Sequence, residues 1–167
     1  SVNIETAFIT IPGHIYMAFS LGLTEKEAKK EFTNTDNFFY QDDIAWVPVE
    51  ITLVTDSFIE AWETGARQWR DASSKDLAGF YPVRSAWESY EQVSISGTAL
   101  PLLFPATGSI VSGYKSSIDV FVDNEVSAKA DYYFEKIRER GDSAKIRNRI
   151  GILYARYGMY DDAQKQF

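Results

Sequence analysis

The sequence predicts an α+β fold: a small antiparallel sheet with helices in the first half, and helices alone in the second. Three short stretches are rich in β-branched and aromatic residues, which favour strands. These predicted strands lie near residues 6–11, 14–20 and 44–54. Beyond residue 82 the apolar residues recur at helical spacing instead. We therefore expect a sheet-containing part followed by an all-α region.

The composition limits the classes of function. The chain has 167 residues, 45% of them hydrophobic, which is enough to build a packed core. A net charge of -7 argues against nucleic acid as a partner. No apolar run approaches the roughly 18–20 residues that span a bilayer, so we expect no membrane span. The chain has no cysteine, hence no disulfide, thiolate metal site or cysteine nucleophile of its own.

The only histidine, His14, begins the second predicted strand, directly after a Pro-Gly turn at 12–13. Strand alternation places His14, Tyr16 and Ala18 on one face. The third predicted strand contains Pro48, which indicates an edge position or a bulge.

Two helices are predicted beside these strands. Thr24 followed by Glu27 has the spacing of a capping box, which predicts a helix from 25 to about 32. Farther along, Asp56 is the expected N-cap of an amphipathic helix over 57–71.

The second half is predicted as helices with one irregular connection. A helix is expected over 82–91, with Pro in its first turn. Gly and Pro residues interrupt 94–113, which predicts an extended connection. Helical spacing resumes over 114–140, in two pieces broken near 123–124. The expected organisation is a partial α+β region, a helical connecting or capping region and a truncated repeat: 1–80, 81–141 and 142–167.

The last 24 residues contain the spacing Ile150-Gly151-x2-Tyr154 followed by Ala163-x3-Phe167. This pattern resembles a tetratricopeptide repeat. The small Gly151 and Ala163 would let two antiparallel helices approach closely. The large Tyr154 and Phe167 would fill the groove beside them.

Further residues extend this resemblance, and one departs from it. Gly158 is expected at the turn between the two helices, and Tyr160 is expected to pack back onto them. Arg147 stands where the family usually has Trp, and a generic helical hairpin is the alternative. A single repeat cannot bury its own face. The resemblance therefore implies a cap from 81–141, or further repeats in the full protein, and a protein or peptide partner.

Glu50 is a carboxylate within an otherwise apolar predicted strand. Charged residues are rarely buried without a partner. If the strand from 44 pairs with the strand from 14, Glu50 and His14 would face each other. A carboxylate of this kind orients an imidazole that acts as a base.

The stretches P-G-H-I-Y-M-A-F and W-V-P-V-E-I-T resemble the second half of a transglutaminase-like core, a family of thiol proteases and transferases. The resemblance implies that His14 is the catalytic base and Glu50, in place of Asp, the orienting acid. Trp46 and Thr52 match flanking positions of the motif. It also implies a nucleophilic Cys on a helix before the first strand, which this chain lacks, so the chain alone is expected to be inactive.

The expectation is therefore a fragment of a bacterial protein. The chain begins without Met and ends within a helical pattern. The parent would catalyse thiol-dependent amide hydrolysis or acyl transfer; the rival hypothesis is a non-catalytic protein-binding scaffold. An uncovered sheet face is expected to pack on the helical region or on a second copy, as a homodimer. No metal or cofactor is expected, and cytoplasm and periplasm both stay open.

Overall fold

The computed structural model describes residues 4–53, 57–90 and 105–167. The chain forms two compact units. The first unit comprises Ser1–Glu31 and Thr35–Tyr114, and the second comprises Phe32–Asn34 and Lys115–Phe167.

The described residues form a five-stranded antiparallel sheet and six helices, which confirms the α+β class. The strands are β1 (Thr6–Ile11), β2 (His14–Thr24), β3 (Phe39–Gln41), β4 (Ile44–Val49) and β5 (Gly79–Pro82). The helices are α1 (Glu25–Glu31), α2 (Phe58–Ser73), α3 (Val83–Ser89), α4 (Thr107–Arg140), α5 (Ala144–Arg156) and α6 (Tyr160–Gln164). The order of strands in the sheet is β3-β4-β2-β1-β5.

The sheet confirms the three predicted strands and adds two that the sequence did not indicate. Strands β3 and β5 have three and four residues, too few for an alternation to be recognised. The third predicted strand ends at Val49 rather than at 54, because the chain turns at residues 51–52.

The sequence predicted an edge position or a bulge for Pro48. The edge position was wrong, because β4 pairs with both β2 and β3. The ladder between β3 and β4 reaches only Trp46, however, so Pro48 lies beyond it. The irregularity in the β2–β4 ladder lies elsewhere, between Ser20 and Thr24. A short neighbouring strand thus leaves room for a proline inside the sheet.

One face of the sheet packs against α2. The buried core on this face consists of Ala7, Ile9, Tyr16, Ala18, Phe39 and Trp46. Four partly buried residues pack around it: Ile11, Ile44, Trp69 and Phe80. On the opposite face, Ile15 and Tyr81 are more than half exposed. The sheet therefore has one closed face and one that is open at these two positions.

The capping interactions explain where two helices begin. The amide of Glu27 donates to the Thr24 hydroxyl, and the Glu27 carboxylate accepts from the Thr24 amide at 2.9 Å, as predicted. Helix α2 begins with the same motif from Ser57 and Glu60. The predicted N-cap Asp56 was therefore wrong by one residue, since Ser57 makes the reciprocal pair with its N3 glutamate.

In the second unit the predicted break near 123–124 is absent, and α4 continues through it to Arg140. Apolar residues on either side of the break pack into one cluster with α5, and this packing outweighs the weak helix propensity of Asp and Asn. The cluster contains Val122, Val126, Ala130, Phe134 and Leu153. Residues 107–113 are helical too, against prediction, and 94–104 lie outside the described residues.

Two further helix starts are clear. Pro82 is the N-cap of α3 rather than part of its first turn. Ser143 caps α5 after Gly141, whose φ is +84°. Among the helices of the described residues, none is long and apolar enough to cross a membrane.

Candidate functional site

His14 and Glu50 meet at one end of the sheet. Strands β2 and β4 pair antiparallel, with Met17 opposite Val49. This register brings together two side chains 36 residues apart, and His14 Nε2 lies 2.5 Å from Glu50 Oε2. The pairing of the two side chains was predicted, and the structure confirms it; their catalytic role stays a prediction.

The Glu50 carboxylate is buried, and both of its oxygens accept hydrogen bonds. The residue is 3% exposed, and its Oε1 accepts hydrogen bonds from the Thr52 hydroxyl at 2.6 Å and the Thr52 amide at 3.0 Å. Burial raises the pKa of Glu50, but the bonds from Thr52 and His14 lower it by more, so it lies below its usual value. Glu50 is therefore an ionised acceptor at neutral pH.

The imidazole of His14 is only partly buried, with 31% of the side chain exposed. An ionised carboxylate can only accept, so Nε2 carries the hydrogen that it donates to Glu50. In the neutral ring Nδ1 then has a lone pair, and no described residue is hydrogen-bonded to it. In this tautomer Nδ1 can accept a proton, which is what a general base must do.

Helix α2 holds the end of β4 and Glu50, which directly follows it. The Glu50 amide donates to the Ala61 carbonyl at 3.0 Å. One turn later, a Cβ built on Gly65 would lie 2.7 Å from the Pro48 carbonyl oxygen. Glycine at position 65 therefore allows the helix to approach the strand more closely than any other residue would.

Two residues that support the site were not recognised as such from the sequence. Tyr16 stacks on His14, with ring centroids 5.7 Å apart, and its hydroxyl donates to Gly65 O. Strand alternation had already placed Tyr16 on the face of His14, and that was the available signal. Thr52 was expected only to flank the site, yet it donates both hydrogen bonds to Glu50 Oε1.

Three serines could be proposed as nucleophiles in place of a thiol, although nothing in their sequence context supports that role: Ser1, Ser20 and Ser57. The Ser20 hydroxyl accepts from the Gly22 amide, and Ser57 caps α2, so neither is paired with His14. Ser1 lies outside the described residues. Within the described ranges no group of three or more His, Cys, Asp or Glu side chains could hold a metal ion.

In the second unit, the small residues of the predicted hairpin pack as expected for close helices. Ile150, Gly151 and Ala163 are buried, and Tyr154 joins the cluster between α4 and α5. A Cβ on Gly151 would lie 2.7 Å from the ring of Phe167. The Phe167 ring therefore lies against Gly151. It is 75% exposed, however, so the prediction that Phe167 fills the groove was wrong: only one side of the ring is covered.

Of two further predictions for the hairpin, the one for Gly158 is confirmed and the one for Tyr160 is wrong. Gly158 lies in the turn between α5 and α6, with a φ of +77° that favours glycine. Tyr160, expected to pack back, is instead 71% exposed, because at the first position of the short α6 its side chain faces solvent. Arg147 binds Asp142 and the side chain of Gln166, which links the two ends of the hairpin.

Comparisons with protein families, with curated proteins and with solved structures found no match.

Proposed function

We propose that this chain provides the base and the orienting acid of a thiol-dependent acyl-transfer site. One observation carries the proposal: His14 Nε2 is bonded to the buried Glu50 carboxylate at 2.5 Å, while Nδ1 faces no partner among the described residues. The chain has no cysteine, so the thiol would come from outside it. The resemblance to transglutaminase-like cores supports a helix that precedes β1 as its source.

The chemistry follows from these two side chains. His14 Nδ1 takes the proton of the thiol, and the thiolate attacks the carbonyl carbon of an amide. The imidazolium then returns the proton to the leaving amine as the C–N bond breaks. Glu50 stabilises the imidazolium and keeps the ring in place. Water or a second amine completes the reaction at the thioester.

Glutamate in place of the family's aspartate needs an explanation, since its side chain is longer by one methylene. Thr52 explains how the longer side chain is accommodated, because the Thr52 hydroxyl and the Thr52 amide both donate to Glu50 Oε1. Only Oε2 is then presented to His14. The two hydrogen bonds from Thr52 thus restrain the longer side chain beside His14.

The test uses the chain joined to the segment encoded directly before it. We expect a cysteine at the start of a helix there, alkylated by iodoacetamide at pH 6, well below the ordinary thiol pKa of about 8.5. His14→Ala should reduce the rate at pH 6 by about tenfold or more. Glu63→Gln, at an exposed position on α2, is the control that should leave the rate unchanged.

Two results would reject the proposal. One is the absence of any cysteine in the preceding segment. The other is a cysteine whose alkylation rate is the same in the parent and in His14→Ala at every pH.

The second candidate is a protein-binding scaffold, which the fit of Gly151 against the Phe167 ring favours. In a repeat array such small–large pairs set the spacing between helices. A peptide-binding scaffold would keep its binding in His14→Ala and lose it when Gly151→Leu forces the hairpin apart. The catalytic site would show the opposite response.

A further inference from the structure

We infer that Tyr16 is a positioning residue for the imidazole of His14, an inference that rests on the proposed function. The two rings lie two residues apart on the same face of β2. Their centroids are 5.7 Å apart and their planes differ by 20°. The tyrosine ring thus limits the rotation of the imidazole on the side where the two rings stack.

The Tyr16 ring is itself held in place. The residue is fully buried, at 0% exposure, and its hydroxyl donates to the Gly65 carbonyl in the middle of α2 at 3.0 Å. Burial, with a smaller contribution from the charge of Glu50, raises the pKa of Tyr16. The hydroxyl therefore stays protonated and remains a donor.

Helix α2 consequently holds both members of the His14–Glu50 dyad, the hydrogen-bonded imidazole and carboxylate. The Gly65 carbonyl accepts from Tyr16, which stacks on His14, and the Ala61 carbonyl accepts from the amide of Glu50. These two carbonyls are one helical turn apart. The distance between the imidazole and the carboxylate is thereby coupled to a rigid element of the core.

The close approach of α2 is a condition for this arrangement. A Cβ at position 65 would overlap the Pro48 carbonyl oxygen at 2.7 Å. Glycine lets the Gly65 carbonyl come within hydrogen-bond distance of Tyr16.

The experiment observes His14 directly by ¹⁵N NMR on the full chain, where a single histidine makes the assignment unambiguous. Tyr16→Phe removes the hydroxyl and keeps the stacked ring, whereas Tyr16→Leu removes both. Tyr81→Phe, at an exposed tyrosine of β5, is the matched control. The readout is the low-field Nε2–H proton and its rate of exchange with water.

We expect the parent and Tyr81→Phe to show the same slowly exchanging proton. In Tyr16→Phe its exchange should be about fivefold faster, the factor that corresponds to one lost hydrogen bond. In Tyr16→Leu the signal should be lost while the circular dichroism stays that of a folded chain. Should Tyr16→Leu not fold, the exchange rate in Tyr16→Phe decides alone.

Unchanged spectra in a folded Tyr16→Leu, or unchanged exchange in Tyr16→Phe, would overturn the inference. The thiol assay separates this failure from that of the proposed function. Spectra that change as expected in a protein with no reactive thiol would reject the acyl-transfer site alone. A reactive thiol with unchanged spectra would reject the role of Tyr16 alone.

Discussion

The two units each contain one buried carboxylate, and the two are held in different ways. Within the described residues, Glu50 and Glu125 are the charged side chains that are buried, at 3% and 4% exposure. Glu50 binds the side chains of Thr52 and of the partly exposed His14, besides the Thr52 amide. Glu125, on α4, has only backbone donors among the described residues: it accepts from the amides of Thr33 and Asn34.

The difference distinguishes the candidate site at Glu50 from a structural contact at Glu125. The partners of Glu125 are amides with no other chemistry, and Phe32 packs edge-on against Phe121 beside them. The partner of Glu50 is a titratable ring with a second nitrogen. Of these two buried carboxylates only Glu50 has a partner that can itself exchange a proton, and this is why we propose a reactive site there and not at Glu125.

Glu125→Gln should have the largest effect on stability. A carboxylate accepts from two amides at once, whereas the amide nitrogen of Gln would face one of these N–H groups as a second donor. We expect a loss of about 2–3 kcal/mol in the free energy of unfolding, measured by urea denaturation. Glu135→Gln, at an exposed position on the same helix, is the control. Equal losses in the two variants would show that Glu125 does not anchor this segment.

Gly65→Ala should have the next largest effect, a loss of about 2 kcal/mol in the free energy of unfolding, because the added Cβ meets the backbone carbonyl of Pro48. Gly151→Ala meets only the ring of Phe167, which is 75% exposed and can rotate away, so its cost should be smaller. Gly113→Ala adds a Cβ in open space on α4 and should stabilise the chain by about 0.5–1 kcal/mol. Thermal denaturation of the three variants checks the ranking; a different order would contradict it.

Glu50→Gln should cost only about 1 kcal/mol in stability but change the chemistry. Thr52 donates to Oε1, so the Gln oxygen stays there and its amide nitrogen donates to His14 Nε2. The imidazole must then carry its proton on Nδ1 and can no longer accept one there. The ¹⁵N shifts of His14 report the exchanged tautomer, and Glu63→Gln is the control. An unchanged tautomer would mean that the carboxylate does not orient the ring.

The pH dependence of stability should show the smallest effect. The pKa of Glu50 is lower in the fold than in the unfolded chain, where it is about 4.3. Its stabilisation is thus present above that value and is lost as the pH falls through the lower pKa of the folded state. The difference in unfolding free energy between the parent and Glu50→Gln should decrease between pH 5 and pH 3. A constant difference over that range would contradict the lowered pKa.

Local pattern was enough to predict much of the first unit. The strands β1 and β2 follow from alternation, and the capping box of α1 follows from Thr24 and Glu27. The pairing of His14 with Glu50 was predicted from the rule that a buried charge needs a partner, on the condition that the strand from 44 pairs with the strand from 14. The small residues of the α5–α6 hairpin, Gly151 and Ala163, were also identified from spacing.

The rest depends on contacts between residues far apart in the chain, which local patterns do not contain. Strands β3 and β5 exist because neighbouring strands pair with them, and α4 runs on past 123–124 because α5 packs against it. Tyr16 and Gly65 support the dyad only because α2 returns to the sheet. The sequence by itself determined which side chains could pair, a histidine and a carboxylate in an apolar stretch. The tertiary structure determined how they are held, because the Glu50 amide and the Tyr16 hydroxyl both bond to carbonyls of a helix that is distant in the sequence.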